Sequence, residues 1–331
     1  MDKRTDNSQL KSSCDIIVSI RCATFNQASF IRKTLDGFVM QKTNFRFEAL
    51  VHDDASTDGT ADIIMEYARK YPEIIKPIIE TENQYSKMDN SLGRIMDEMC
   101  TGKYVANCEG DDYWTDPYKL QKQVDYLETH PDCTMVHTAF NFVDTNNNLL
   151  PTPDIPLYQN LKYRKKEGYI WHTHLLEATS ILYCTTIYRN GLLDDEESYL
   201  DHDIFMSCAR QGKVHYMEEV TSCYRINPTS TMHVRQNAVI KWIRQAILKQ
   251  MYFFCTNSRP SDTFYKNNFI TQYYLTEAFI STLVAIKDIT NDAKWKMVLS
   301  IIFYNPFIVV LLPLAAISKA CRLFRRKVCK D

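Results

Sequence analysis

Glycine is scarce in this chain of 331 residues, with 8 in total, which is about a third of the usual ~7%. No two glycines stand two or five positions apart, so neither G-x-G-x-x-G nor G-x-x-x-x-G-K-[ST] occurs in the sequence. The commonest glycine loops for dinucleotides and for NTP phosphates are therefore excluded. Any nucleotide that this protein binds must be held in another way.

An excess of charge of either sign is also missing, because 39 Lys and Arg residues face 40 Asp and Glu residues and the net charge is -1. A chain with this net charge does not attract a polyanion electrostatically, so we expect no nucleic-acid partner. The stretch from Lys319 to Asp331 is an exception, with six basic residues and one acidic residue.

Cysteine pairs of the C-x-x-C type are absent, although the chain contains 11 cysteines. The polar leader, residues 1–14, has no apolar core of the kind that a secretory signal peptide needs. Both observations favour a reducing, cytoplasmic compartment. Most of the thiols are then expected to be small buried apolar groups.

Apolar runs of strand length alternate with segments of helical periodicity in the first 130 residues. Such alternation implies right-handed β-α-β crossovers, so we predict an α/β fold with a mostly parallel sheet flanked by helices. Asp116 and Pro117 are typical of a helix N-cap and a first helical position. The predicted strands are 16–20, 47–52, 74–79, 104–108, 133–143, 180–185 and 213–220, and the predicted helices are 28–39, 60–71, 91–100, 117–129 and 201–211.

Three acidic clusters stand at the ends of predicted strands or at the start of a helix. They read HDDASTDGT from His52, CEGDDYW from Cys108 and DHD from Asp201. Ligands of parallel α/β sheets bind beyond the carboxyl ends of the strands. Carboxylates this close repel one another unless a cation or hydrogen-bond donors lie among them. The second cluster therefore predicts a divalent cation that holds a diphosphate. The alternative for this cluster is a solvated acidic loop. For the first and third clusters, the alternative is that the carboxylates cap a helix.

Taken together, these clusters resemble the signature of the family 2 inverting glycosyltransferases of the bacterial cell-surface polysaccharide type. Residues 16–60 are similar to the family's opening strand, T-x-N turn and V-D-D-G-S-T-D-G-T stretch, residues 103–129 to its D-x-D segment, and residues 200–225 to its E-D-x-x-L helix and later Y-R. The chain departs from this pattern at Ala55, Glu109, Leu200 and Asn227, where the family usually has Gly, Asp, an acid and His. The resemblance implies a GT-A-like fold of the nucleotide-diphospho-sugar transferases.

The resemblance also implies a site for a nucleotide-diphosphate sugar. Asp111 would bind Mn2+ or Mg2+ beside the diphosphate, Glu109 would lie at the ribose, and Arg225 would supply a further positive charge. Asp201 would act as the base that deprotonates an acceptor hydroxyl. The residues implied to contact the nucleotide sugar are Thr24, Phe25, Asn26, Asp53, Asp54, Glu109, Gly110, Asp111, Asp112 and Arg225.

The C-terminal part suggests contact with a membrane. Met297 to Ser318 carries no charge and has about the length that a bilayer span needs, and the basic stretch after it would be attracted to anionic lipid. Because a single span would separate two parts that both belong in the cytoplasm, we expect a peripheral or monotopic protein at the inner membrane. The alternative is a buried helix pair. We predict a catalytic domain at 15–230, a helical region at 231–290 and this apolar segment with its basic tail at 291–331.

The acceptor implied by the resemblance is a saccharide or a lipid-linked saccharide, in polysaccharide or glycolipid synthesis. Two other classes remain open. A nucleotidyltransferase shares a similar sheet but normally needs a glycine-rich loop after the first strand, which RCATFNQA lacks. A non-catalytic nucleotide-sugar-binding membrane protein would keep the binding acids, and the missing acid at Leu200 favours it slightly.

Overall fold

The computed structural model describes residues 15–87, 91–152, 181–192 and 201–227. Nine strands within these ranges form one sheet, and five α-helices are described beside it. The elements are β1 (Ile16–Thr24), α1 (Ile31–Val39), β2 (Arg46–Asp53), α2 (Thr60–Lys70), β3 (Ile75–Ile79), α3 (Ser91–Met99), β4 (Tyr104–Asn107), β5 (Tyr113–Trp114), α4 (Lys119–Thr129), β6 (Cys133–Val143), β7 (Leu149–Leu150), β8 (Ile187–Arg189), α5 (Asp201–Gln211) and β9 (Lys213–Arg225).

The sheet has the order β3-β2-β1-β4-β8-β6-β9-β5, with β7 paired to β6. Strands β1 to β4 are parallel where they pair, as the alternation predicts. Strand β8 runs antiparallel to both β4 and β6, and β9 pairs parallel with β6. Consequently β1, β2, β4, β6 and β9 all point the same way, and their carboxyl ends lie along one edge of the sheet.

A continuous apolar core lies between the sheet and its helices. Strand β1 is buried on both faces because it pairs with β2 and β4 in the middle of the parallel part. Helix α1 presents Ile31, Leu35 and Phe38 to this core, and the Phe38 ring meets the Trp114 ring edge-on at 5.0 Å. Burial of such side chains contributes about 1.5–3 kcal/mol each. Strand β5, which follows the second acidic cluster, is thereby fixed against α1.

Several predicted boundaries differ from the structure. Strand β1, predicted at 16–20, continues to Thr24, because the charge of Arg21 interrupts the apolar run while the pairing with β2 goes on. Helix α4 begins at Lys119, because the Asp116 carboxylate accepts the Tyr118 N–H at 2.8 Å and forms a turn ahead of the helix instead of capping it. The segment predicted as a strand at 180–185 contains the 3₁₀ turn Tyr183–Thr185, followed by β8. Strand β9 continues to Arg225, because a bulge accommodates residues 218–219, which interrupt the apolar pattern.

All seven cysteines within the described ranges are buried, which confirms the prediction for that part of the chain. No helix among the described residues is long and apolar enough to cross a membrane. The segment from Met297 to Ser318 and the predicted helical region 231–290 lie outside those residues.

A lysine is fully buried at the start of α4. The Lys119 Nζ donates to the Gln123 side-chain oxygen and to the Thr185 carbonyl at 3.2 Å, and it lies 4.9 Å from the centroid of the Trp114 ring. Because burial disfavours the charged ammonium, the pKa of Lys119 falls to about 7. This side chain therefore changes its charge near neutral pH inside the core.

Replacement of Lys119 by Met should stabilise the protein at pH 7 by up to roughly 4 kcal/mol, because each unit of pKa shift corresponds to about 1.4 kcal/mol. The folded pKa lies below the unfolded one, so the unfolded chain binds more protons between pH 7 and 10, and the Lys119 penalty decreases as pH rises through this window. The difference between wild type and Lys119→Met in urea unfolding should accordingly shrink from pH 7 to pH 9.5. Lys122→Met, at an exposed position paired with Asp116, should show no such trend; a constant difference for Lys119→Met would contradict the assignment.

Candidate active site at the carboxyl ends of the strands

The loops after β1 and β2 are joined by reciprocal hydrogen bonds. The Asn26 N–H donates to Ser56 Oγ at 2.8 Å, and the Asn26 side-chain oxygen accepts the Thr57 N–H at 2.9 Å. Asn26 has a φ of 53° and Ala55 a φ of 62°, a left-handed conformation that Asn tolerates better than most residues. The T-x-N turn of the first loop and the acidic cluster of the second loop thus form one unit.

The carboxyl groups of Asp53 and Asp54 hold this unit together. Asp53 accepts the Ser56 N–H at 3.0 Å and the Thr24 hydroxyl at 3.3 Å. Both residues are buried, so their carboxylates fix the shape of the strand edge, whether or not they also meet a nucleoside. A contact between these carboxylates and the base stays a prediction.

Asp54 also anchors a segment that the sequence did not single out. Its two carboxylate oxygens accept the N–H groups of Gln84 at 2.6 Å and of Tyr85 at 3.0 Å. These amides open the 3₁₀ turn Tyr85–Lys87, which therefore lies at the same sheet edge as Phe25. The Phe25 ring is 48% exposed, so a flat apolar surface is available next to the first two loops.

The second acidic cluster, Glu109–Asp112, is named the acid loop. It is tied to the middle of the sheet and to α1: the Gly110 N–H donates to the Ala23 carbonyl at 3.1 Å, and the Thr34 hydroxyl contacts the carbonyls of Gly110 and Asp112 at 2.9 and 2.6 Å. A Cβ at Gly110 would clash with the Gln27 side-chain oxygen and with Thr24 Cγ2. Glycine is required here because the acid loop passes directly over β1.

Burial raises the pKa of all three acids of the acid loop. For Glu109 the pKa is raised well above its usual range by desolvation and then by the charges of Asp201, Asp111 and Asp112. Desolvation likewise raises the pKa of Asp111, against the nearby charge of Arg225. It also raises the pKa of Asp112, whose Oδ2 is buried without a hydrogen-bond partner among the described residues. The charge of Arg225 and the hydrogen bonds to Asp112 lower these pKa values but do not offset the desolvation.

This shortage of positive charge is the observation that fits a divalent cation. Carboxylate oxygens are the ligands that Mg2+ and Mn2+ prefer, and Mg2+ is usually held by one or two carboxylates together with substrate phosphates and water. Within the described part of the chain, no group of three or more His, Cys, Asp and Glu side chains is arranged to hold a metal ion. The acid loop therefore suits a cation that a diphosphate shares, rather than a cation enclosed by protein.

Asp201, the first residue of α5, lies close enough to the acid loop for its charge to raise the pKa of Glu109. Both side chains are exposed to solvent, yet surrounding protein desolvates them, which is typical of side chains on the walls of a cleft. Desolvation raises the pKa of Asp201 to about 6, while the charge of Arg21 opposes this rise. Asp201 thus remains mostly ionised at neutral pH and faces Glu109.

Arg225, predicted to lie near a diphosphate, ends β9 next to the acid loop. Its side chain is only 4% exposed, and each of its three nitrogens donates to a protein oxygen. The structure therefore places Arg225 beneath the acid loop and not on the surface of the cleft.

Sequence reasoning missed the buried ion pair of Arg21 and Asp97, whose closest N and O atoms are 2.8 Å apart. Arg21 lies in β1, and its guanidinium also contacts the Tyr188 hydroxyl at 3.4 Å. Its charge acts on the pKa values of Asp201 and Tyr183. The signal for it was present in the sequence, because Arg21 is the one charged residue of the buried run VSIRCA.

Comparisons with known proteins identify relatives of this arrangement. The Glycosyl transferase family 2 model matches residues 19–194, more than half of the chain. An uncharacterized protein of Mycobacterium tuberculosis is 46% identical over 120 residues, which cover 36% of this chain and 33% of that protein. The chain thus matches about a third of the length of that relative. An uncharacterized glycosyltransferase of Methanocaldococcus jannaschii is 25% identical over 296 residues, 85% of this chain and 97% of that protein.

Two solved structures share the fold. Staphylococcus aureus TarS, in complex with UDP-GlcNAc, has a TM-score of 0.61 at 16% identity, with 92% of this chain and 88% of that chain covered. The mannosyltransferase PcManGT from Pyrobaculum calidifontis, in complex with GDP-Man and Mn2+, has a TM-score of 0.51 at 15% identity, with 93% and 87% covered. These likenesses, together with the sheet and its flanking helices, show that the fold is GT-A-like.

Replacement of Gly110 by Ala should lower the free energy of unfolding by about 1–3 kcal/mol, the usual cost of overpacking, because the new methyl group meets Thr24 Cγ2. The Thr24→Ser change removes that methyl and keeps the hydroxyl. In the double variant Thr24→Ser/Gly110→Ala, part of the loss should therefore be recovered, measured as a coupling energy from urea unfolding of all four proteins. Additive losses would show that the two positions do not press on each other.

Proposed function

The chain belongs to glycosyl transferase family 2, and from this membership we propose that it transfers a sugar from a nucleotide-diphosphate sugar to an acceptor hydroxyl, with inversion. The observation that carries the proposal is the position of Asp201 at the start of α5, close enough to the acid loop for its charge to act on Glu109. Two kinds of carboxylate are needed for such a transfer, one at the leaving diphosphate and one at the attacking hydroxyl. The cleft brings one of each kind together.

Asp201 is proposed as the base. The acceptor oxygen attacks the anomeric carbon, its proton passes to the Asp201 carboxylate, and the nucleoside diphosphate leaves with the electron pair of the broken C–O bond. A base must be ionised at the working pH and must reach the proton. The pKa of about 6 and the exposed position of Asp201 meet the first requirement and allow the second.

The donor is proposed to lie along the edge formed by β1, β2 and β4. Its nucleoside would be surrounded by Thr24, Phe25, Asn26, Asp53 and Asp54, with the exposed Phe25 ring available for stacking. Its ribose and diphosphate would follow the acid loop, from Glu109 and Gly110 to Asp111 and Asp112. The TarS complex with UDP-GlcNAc and the PcManGT complex with GDP-Man support a nucleotide-sugar donor.

A divalent cation is proposed at Asp111, Mn2+ or Mg2+. When bound, it would neutralise the negative charge that develops on the departing diphosphate. The uncompensated charge of the acid loop supports this site, and so does the Mn2+ in the PcManGT complex.

The acceptor is proposed to be a saccharide or lipid-linked saccharide, in polysaccharide or glycolipid synthesis at the inner face of a membrane. For this part the support is the sequence alone: the uncharged run from Met297 to Ser318 and the basic residues after it. We likewise propose that the catalytic domain covers 15–230 and that 231–290 and 291–331 form separate regions.

Incubation of the full chain with Mn2+, a panel of UDP-, GDP- and dTDP-sugars and saccharide acceptors should release nucleoside diphosphate with one donor. We expect Asp111→Ala and Asp201→Asn to lower kcat by at least about 100-fold, within the usual range for loss of a general base. Asp201→Asn should keep its affinity for the nucleoside diphosphate in calorimetry, because it changes only the proton acceptor.

Asp125→Asn is a matched control for this experiment, since Asp125 lies on the exposed face of α4 and its carboxylate accepts a local bond from Gln121 within that helix. Its kcat should stay within about twofold of wild type, as is usual for surface changes. Release of pyrophosphate would instead identify a nucleotidyltransferase. Binding of a nucleotide sugar without turnover, with all acceptors present, would identify a non-catalytic binding protein.

A further inference from the structure

The last residue of β9, Arg225, connects three segments that are distant in the sequence. Its guanidinium carbon lies 4.5 Å from the centroid of the Phe30 ring before α1 and 5.6 Å from that of Tyr113 in β5. Its nitrogens reach the acid loop on one side and the turn between β6 and β7 on the other. A buried arginine with this many partners is costly to replace, because each acceptor would lose its donor.

On the acid-loop side, Arg225 fixes two consecutive residues. Its Nε donates to the Asp111 carbonyl at 2.7 Å, and its backbone N–H donates to the Asp112 carboxylate at 2.8 Å. The first bond fixes the orientation of the peptide group between Asp111 and Asp112. The second holds the neighbouring carboxylate in place from the opposite side.

On the other side, Arg225 is held by a turn that is itself well ordered. Its Nη1 donates to the Asp144 carbonyl at 2.8 Å and its Nη2 to the Asn147 side-chain oxygen at 2.9 Å. The Asp144 carboxylate closes this turn by accepting the N–H groups of Asn146 and Asn148 at 2.8 and 2.9 Å. The planar guanidinium therefore acts as a rigid connection between the β6–β7 turn and the acid loop.

We propose that Arg225 is a positioning residue for the donor site, one whose side chain acts on the diphosphate-binding carboxylates through its bond to the Asp111 carbonyl and does not touch the diphosphate itself. The inference rests on the proposed function, because it assumes that Asp111 holds a cation. It differs from the sequence-based expectation that Arg225 supplies a charge to the diphosphate. The two roles separate experimentally, since a lysine would retain the charge but lose the fork of three nitrogens.

The experiment is a Mn2+ titration of the full chain with UDP, followed by electron paramagnetic resonance of free Mn2+, for wild type, Arg225→Lys and Arg225→Met. If Arg225 is a positioning residue, both variants should weaken Mn2+ binding by about 10-fold or more, the usual effect of losing a group that orients a metal ligand. UDP affinity measured without metal should stay within about twofold of wild type, because no contact to the phosphates is lost. If Arg225 instead touches the diphosphate, Lys should restore binding and Met should weaken UDP binding even without metal; either result overturns the inference.

Arg189→Met is the matched control. Arg189 donates to the carbonyls of Cys133 and Leu127 at 2.8 and 2.6 Å and lies 5.6 Å from the Tyr104 ring centroid, so it makes the same kinds of contact away from the acid loop. Its loss should lower stability without changing Mn2+ affinity. Equal losses of Mn2+ affinity in Arg189→Met and Arg225→Met would mean that general destabilisation is the cause, which also overturns the inference.

Asn147→Gly provides a test should the Arg225 variants fail to fold, because it removes one acceptor of the guanidinium from an exposed turn and can keep the left-handed φ of 67° that Asn147 adopts. We expect Mn2+ binding to weaken by about threefold, and an unchanged affinity would contradict the inference. Wild-type protein that binds no Mn2+ would overturn the metal site of the proposed function and this inference with it. Wild-type binding that Arg225→Lys leaves unchanged would overturn the inference alone.

Discussion

Crowding of negative charge at one edge of the sheet is the constraint on which the rest of the site depends. Glu109, Asp111, Asp112 and Asp201 all have pKa values raised by desolvation, which means that ionising these groups costs more free energy in the folded protein than in water. Two arginines, Arg21 and Arg225, are buried beside them. Their charges oppose the rise for Asp201 and for Asp111, but they do not remove it, and a cation with a diphosphate would complete the balance.

The acids at this edge differ in how the protein uses them. Both oxygens of Asp54 accept backbone N–H groups, and those of Asp53 accept the Ser56 N–H and the Thr24 hydroxyl, so these two residues act as parts of the framework. The acid loop is held mainly through its backbone, by the Thr34 hydroxyl and the Ala23 carbonyl. The carboxyl groups of Glu109 and Asp111 are thereby left available. A site for a charged ligand needs both kinds of residue, because open carboxylates would otherwise move apart by repulsion.

Much of the fold follows from sequence patterns, and so does the identity of the acidic clusters. Strands β2 and β6 are found where period and length predict them, since their burial leaves a continuous apolar run. The full length of β9 could not be predicted from the sequence, because the bulge at 218–219 interrupts the apolar pattern while the pairing with β6 continues. The clamp of Asp54 on Gln84 and Tyr85 was equally hidden, because it joins residues 30 positions apart through backbone atoms that carry no sequence signature.

The roles of the site residues were harder to predict from the sequence than their positions in the fold. Arg225 was expected at the diphosphate because charge is visible in a sequence, whereas burial at 4% exposure and bonds to Asp144 and Asn147 are properties of the folded chain. Arg21 shows the opposite case. The charge of Arg21 within an apolar strand is visible in the sequence. Its effect on the pKa of Asp201 is not, because this effect depends on how β4 and the 3₁₀ turn at Tyr183 lie beside β1.

The length of β1 has a consequence of its own. The Ala23 carbonyl accepts the Gly110 N–H and the Thr24 carbonyl accepts the Asp54 N–H, so consecutive peptide groups of one strand carry the acid loop on one side and the β2 loop on the other. One residue more or less before this point would turn each following group to the opposite side of the strand. Both loops would then lose their anchor together. The distance between the acid loop and the β2 loop is thus set by one strand. It depends on the number of residues in that strand more than on their side chains.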